Sequence, residues 1–174
     1  MAKEALIIFE TELSAEEISK ALRVTLEEAI RKFRDPRVTS WFAEIWGERL
    51  YNYKAHTNPN HPGSDARIAL GDIGRFDISV RCFYESSIKL QKSKFIGSGR
   101  KCTTDDLIDS IESVERYIIV DLRKFPKLIF VPLDSKPLLR LVRQGKLTPS
   151  GITPARFDTW LIESFQVTRK AFTL

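Results

Sequence analysis

An α+β, or mixed α/β, domain is what the sequence predicts, and three observations predict it. Helix-start signatures crowd the first third of the chain. Alternating β-type residues fill 65–96, and two strongly apolar runs, "RYIIVDL" and "KLIFVPLD", read as strands buried on both faces.

Each element follows from local chemistry. "LSAEEISKALRVTLEEAIRKFRDP" holds two capping-box patterns, Ser14 with Glu17 and Thr25 with Glu28. They predict two short helices that break near Val24 and end before Pro36, an N-terminal helical arm or dimerisation element over 1–36 that leaves 37–174 as the core. In "RVTSWFAEIWGERL", Trp41, Ile45 and the Glu44/Glu48 pair recur at helical spacing. "YNYKA" reads as a short strand and "HTNPNHPGS" as a loop. "DARIAL", "RFDISVRCFY" and "SIKLQKSKFI", separated by "GDIG" and "ES", suggest an antiparallel meander. Thr103 or Thr104 can cap a helix over "DDLIDSIESVE"; after the two apolar strands, "SKPLLRLVRQGK" and "TPARFDTWLIESFQVTRKAF" complete the chain as helices.

Composition bounds the function only loosely. At 174 residues and 43% hydrophobic, the chain can bury a real core. Lys and Arg outnumber Asp and Glu by 28 to 23, for a pI near 9.3, which suits a polyanionic partner without demanding one. Cys82 and Cys102 make neither a disulfide framework nor a zinc-type pair, so a reducing cytoplasm is the simplest setting. No apolar run approaches the ~20 residues of a membrane span, and "MAKEALIIFETELS" meets acids before a signal-peptide core can form. The expectation is a soluble, unexported protein.

The chemistry concentrates in "PGSDARIALGDIGRFDISVRCFYESSIKLQKSKFIGSGRK". A hairpin at "GDIG" brings Asp65 opposite Ser79, Val80 or Arg81, and period-two alternation puts Asp77, Ser79 and Arg81 on one side of their strand. Folding "SIKLQKSK" back at Glu85-Ser86 would add Lys89, Gln91 and Lys92 near Arg81. Acid, hydroxyl and cations together suit phosphodiester hydrolysis. Carboxylates hold Mg²⁺, the metal acidifies the attacking water, and a cation steadies charge on phosphorus. A second acid comes from Asp77, Glu44 or Glu48. Plainer readings stand beside this one: Asp65 as a turn residue, the Asp77/Ser79/Arg81 stripe as a solvated strand face, the glutamates as helix surface, and His56 and His61 as loop histidines outside the site. Cys82 reads as a buried strand residue.

At these residues the sequence resembles the PD-(D/E)XK nuclease superfamily, and within it the type II restriction endonucleases. The resemblance covers Trp41 to Leu133, as helix with a glutamate, strand, Asp-bearing strand, catalytic strand, helix and buried strand. It implies a restriction-endonuclease-like core, a central mixed sheet flanked by helices. "GSD" places Asp65 as the first metal-binding acid, and "SVR" places Ser79 and Arg81 where the family has an acid-x-lysine pair. Arginine there departs from the pattern, because it is too basic to exchange a proton near neutral pH. Lys89, or Lys92 or Lys94, can substitute. A second frame takes Asp77 as first acid and Ser87-Ile88-Lys89 as the pair.

The implied activity is Mg²⁺-dependent, sequence-specific cleavage of double-stranded DNA by a homodimer, with room for a cognate DNA methyltransferase acting on the same site. Asp65, Asp77, Ser79, Arg81 and Lys89 are the catalytic candidates, and Asp65, Asp77, Glu44 and Glu48 the metal ligands. Lys92, Lys94, Arg100 and Lys101, around two glycines, suit phosphate contacts, and Gln91 or Arg100 base edges. A different class also fits: a DNA-binding protein without catalysis, either a degraded nuclease fold, which Arg81 supports, or a helix-turn-helix regulator in "EEISKALRVTLEEAI". Glu27 and Glu28 would meet DNA with the wrong charge in the latter.

Overall fold

Two apolar strands, β5 (Arg116–Asp121) and β6 (Lys127–Asp134), form the middle of the sheet, as their near-continuous hydrophobic runs require. The structure is a computed structural model, and it describes residues 3–56, 64–69, 75–92, 95 and 99–173. Alternation along β5 sends Tyr117 and Ile119 into one apolar cluster and Ile118 and Val120 into the other. Helices α4 (Thr104–Glu112), α5 (Ser135–Arg143) and α6 (Pro154–Ser164) cover the first face through Leu107, Leu138 and Phe157. The other face carries α1 (Ala15–Leu22), α2 (Leu26–Phe33) and α3 (Pro36–Tyr51), through Ala15, Phe33 and Trp46. The mixed α+β expectation holds, with helices on both sides of a mixed sheet.

The remaining strands are β1 (Glu4–Glu12), β2 (Lys54–Ala55), β3 (Ala66–Ala69), β4 (Arg75–Phe83) and β7 (Phe165–Ala171). The seven strands run in the order β2-β3-β4-β5-β6-β1-β7. The β4–β5 and β1–β7 pairs are parallel and the other four pairs antiparallel.

Local signals place the helices where capping chemistry predicts. Ser14 accepts from the Glu17 N–H, Thr25 and Glu28 close a reciprocal box, and Arg23, in the left-handed region at φ 54°, ends α1 at the expected break. Thr103, not Thr104, caps α4, in a box with Asp106. Pro36 is the first residue of α3, behind an Asp35 cap.

Three expectations are corrected. Residues 4–12 form β1, inserted between β6 and β7, so the segment 1–36 is not a purely helical arm; Leu6 and Ile8 on it are core residues. The last helix stops at Ser164, and 165–171 pairs with β1 as a strand whose β-branched and long polar residues suit a sheet edge. "SIKLQK" forms no strand beside β4: the place is taken by β5, and Ile88 makes an isolated bridge to Ile152 instead. The "GDIG" turn and most of the "HTNPNHPGS" loop lie outside the described residues.

An ion-pair network ties the end of β5 to α6. Arg123 donates to both carboxylate oxygens of Asp121 and to both of Asp158, with its guanidinium 5.2 Å from the Phe83 ring centroid. The Asp121 side chain is only 9% exposed and that of Asp158 44%. Arg123→Ala therefore strands a buried carboxylate and should cost about 3 kcal/mol. Asp158→Asn should cost under about 1 kcal/mol. Urea denaturation of both variants checks this, and equal midpoint shifts would contradict it.

Candidate functional site

Pairing of β3 with β4 fixes the centre of the site. The register sets Ala66 against Ile78 and Arg67 against Asp77, and continuing it one residue sets Asp65 against Ser79, within the range the sequence allows. The Asp65 N–H donates to the Ile78 carbonyl at 2.8 Å, holding the residue at the mouth of the strand. Three donors then converge on Asp65 Oδ2: the Ser79 hydroxyl at 2.8 Å, the Val80 N–H at 2.7 Å and Arg81 Nη1 at 3.1 Å. Its Oδ1 accepts from none of the described residues. Arg81 Nη1 also donates to the Val80 carbonyl at 2.8 Å, while its Nε is buried without a partner. Ser79 is fully buried, and Arg81 and Asp65 are partly so.

Helix α3 brings the second acid. Glu44 and Glu48 stand one turn apart on one flank of the helix, and both are half-buried. Burial pushes the Glu44 carboxyl up to about 7; the Asp65 carboxylate adds to the shift, Arg81 opposes it, and Glu48 adds a little more. The helix is clamped here by Tyr53, whose hydroxyl donates to the Glu44 carbonyl at 2.9 Å. Glycine is needed at position 47, because a Cβ there would lie 2.0 Å from the Tyr53 hydroxyl. Cys82, next to Arg81 on β4, is partly buried, and burial with Glu44 nearby raises its thiol pKa, as suits a packing residue.

Strand β2 adds a residue that sequence reasoning set aside. Ala55 pairs with Ala66, so His56 falls beside Asp65; its N–H donates to the Asp65 carbonyl at 3.2 Å, and its Nε2 lies 2.9 Å from the Ser64 hydroxyl. The signal was present in the symmetric spacing of "YNYKAH" and "SDARIAL" about their loop. His61 lies outside the described residues.

Other candidates are placed elsewhere. Asp77 shares the face of Ser79 and Arg81 but is engaged by Arg67 Nε and Nη2 at 2.6 and 3.2 Å, and its N–H donates to Glu115 at 2.5 Å. Among the described residues it makes no hydrogen bond or ion pair with Asp65, Ser79 or Arg81. Lys89 is exposed on the irregular segment after β4, so neither the Lys89 substitution nor the frame pairing Asp77 with Ser87-Ile88-Lys89 gains a strand to hold it. Gln91 is buried, 5% exposed, with its carbonyl oxygen unpartnered, which is the wrong setting for reading a base edge from solvent. Lys92 is half-buried, with its N–H on the Ser110 hydroxyl; Arg100 and Lys101 are exposed, as phosphate contacts require. Lys94 lies outside the described residues.

No family model matches the chain, and no curated protein or solved structure matches it. Among the described residues, no three His, Cys, Asp or Glu side chains are grouped as a metal cage. A Mg²⁺ ion does not require one, since it keeps several waters and takes one or two carboxylates plus substrate phosphate. Asp65 Oδ1 and the Glu44 carboxyl fit that donor set, being hard oxygens on two acids, with the Asp65 charge adding to the raised pKa of Glu44.

The raised Glu44 pKa has a stability consequence with a definite sign. The folded state holds this proton more tightly than the unfolded chain, whose carboxyl titrates near 4.5. The associated stability is complete below pH 4.5 and lost as pH rises through about 7. Glu44→Gln should remove that loss, making the variant more stable than the parent at pH 8 by on the order of 2 kcal/mol after solvent screening. Parallel curves of urea midpoint against pH for parent and variant would contradict the assignment.

Proposed function

We propose that the protein is a Mg²⁺-dependent endonuclease of double-stranded DNA. The observation that carries this reading is the clasp of Ser79, the Val80 N–H and Arg81 on one oxygen of Asp65, whose other oxygen accepts from none of the described residues, with Glu44 of α3 near enough for the Asp65 charge to raise its pKa. The order α3, β2, β3, β4, α4, β5, with β4 parallel to β5, supports a restriction-endonuclease-like core.

Asp65 and Glu44 would hold the metal, with Glu48 one turn along α3. Bound there, Mg²⁺ supplies an acidified water and charge neutralisation at the phosphate. Arg81 stands where a cation can stabilise charge growing on the phosphoryl oxygens. Ser79 and the Val80 N–H orient Asp65. Arg100 and Lys101 supply exposed cations for the DNA backbone. A two-fold homodimer would present one such site to each antiparallel strand of a palindromic sequence, and a methyltransferase acting on that sequence would protect the host's own DNA. No described helix is long and apolar enough to cross a membrane.

One observation favours a second reading, a nuclease-like fold that binds DNA without cutting it. Arg81 already gives Asp65 a positive partner at 3.1 Å, the role a metal would fill.

Cleavage of mixed phage and plasmid DNA by the purified chain decides between them. The endonuclease reading expects discrete fragments with Mg²⁺, lost with EDTA, in Asp65→Ala and in Glu44→Gln. Intact DNA that shifts on a gel supports the second reading. Neither cleavage nor binding removes both. Because Glu44 must lose its proton to ligate, half-maximal cleavage should need about tenfold more Mg²⁺ at pH 6 than at pH 8. An unchanged requirement would take Glu44 out of the metal site.

A further inference from the structure

The three tryptophans of the chain have different surroundings. Trp46 is buried against the sheet, and Trp160 is half-buried with ring centroids 5.7 Å from Phe157 and 5.5 Å from Phe165. Trp41 is 70% exposed, an unusual place for the largest apolar side chain, and Ile45, one turn further along α3, is 44% exposed. Their position on the helix is specific. Trp41 is three residues before Glu44 and Ile45 three before Glu48, so each lies on the solvent side of an acid of the candidate site, with Cβ atoms about 5–6 Å apart.

What covers this stripe is constrained by its ends. At the same four-residue spacing the series runs Arg37, Trp41, Ile45, Arg49, with both arginines exposed. Arg37 is paired with Asp35 at 2.7 Å, and Arg49 has no carboxylate partner among the described residues. A second copy packed antiparallel on this stripe would set Trp41 on Ile45 but Arg37 on Arg49, a like-charge pairing that opposes self-association. Bases between two phosphate backbones meet the same series favourably, with cations at the ends and apolar surface in the middle.

We infer that Trp41, with Ile45 beside it, forms an apolar wedge against the bases of duplex DNA next to the phosphate to be cleaved at the Asp65–Glu44 site. This rests on the proposed function and adds a specificity-determining contact to it. The indole face takes a base unstacked from its neighbour, Ile45 fills the gap beside it, and Arg49 fixes the flanking phosphate. Because any base has an apolar face, the wedge selects deformable steps in place of a fixed base.

Anisotropy of a fluorescein-labelled mixed-sequence duplex, with EDTA present so that strands stay intact, measures the contact directly. Iodide quenching of tryptophan fluorescence, assigned by difference from Trp41→Phe, measures shielding. The expected results are loss of iodide access to Trp41 at saturating DNA and affinity about tenfold weaker in Trp41→Ala, retained in Trp41→Phe. Wild-type affinity in Trp41→Ala, or unchanged quenching at saturation, overturns the inference, as does failure to bind the duplex at all. Shielding of Trp41 without DNA, growing with protein concentration alongside dimer in sedimentation, overturns it in favour of a second copy. The two readings fail separately. Cleavage at the wild-type rate by Trp41→Ala removes the wedge and leaves the nuclease, while shielding by DNA without cleavage in Mg²⁺ keeps the wedge and removes the catalysis.

Discussion

The rest of the structure depends on the register of β4. Antiparallel pairing sets its Ile78 against Ala66 of β3, and parallel pairing sets the same residue against Arg116 of β5. With both sides fixed, alternation sends Ile78 and Val80 into the core under α3 and turns Ser79 and Arg81 to the opposite face. A slip of one residue would drive Ser79 and Arg81 under α3 and take Ile78 and Val80 out of that apolar cluster, so the hydrophobic pattern and the polar cluster enforce one register together. The clasp on Asp65 is a by-product of pairing that the core already demands.

Arg81 gives the cluster an unusual electrostatic balance. A carboxylate with three donors on one oxygen is firmly oriented, and its neighbour Glu44 carries the unresolved charge of the corner. Orientation and vacancy are thus divided between two acids on different elements. Asp65 sits on the sheet, where backbone pairing makes it rigid. Glu44 sits on a helix whose position depends on packing and on the Tyr53 hydroxyl.

Much of this was legible in the sequence, and the exceptions have physical causes. Caps specified α1, α2 and α4 because a side chain within three residues satisfies an otherwise unpaired N–H, which is local information. Asp65 and Ser79 could be paired because a hairpin register is set by a short loop. The reach from β4 to β5 was not legible: "SIKLQK" has strand-like alternation, and only tertiary competition, with the apolar β5 taking the place beside β4, decides against it. The same cause hid β1 and β7. "EALIIFETE" and "FQVTRKA" each need a partner about 160 residues away, in the register Glu4 to Phe165, and no local pattern announces such a partner. His56 was missed because its loop character outweighed a two-residue strand.

That pairing also orders events during synthesis. β1 leaves the ribosome first, yet its two neighbours in the sheet, β6 and β7, begin at Lys127 and Phe165. Until they emerge, Leu6 and Ile8 have no sheet to join, and β1 lacks both its partners while β3, β4 and β5 assemble. A chain shortened before Phe165 would leave β1 as an open edge with an apolar face, a template for pairing with other chains. β7 thus guards β1, and an intact later strand becomes a condition for keeping the earlier one from pairing with other chains.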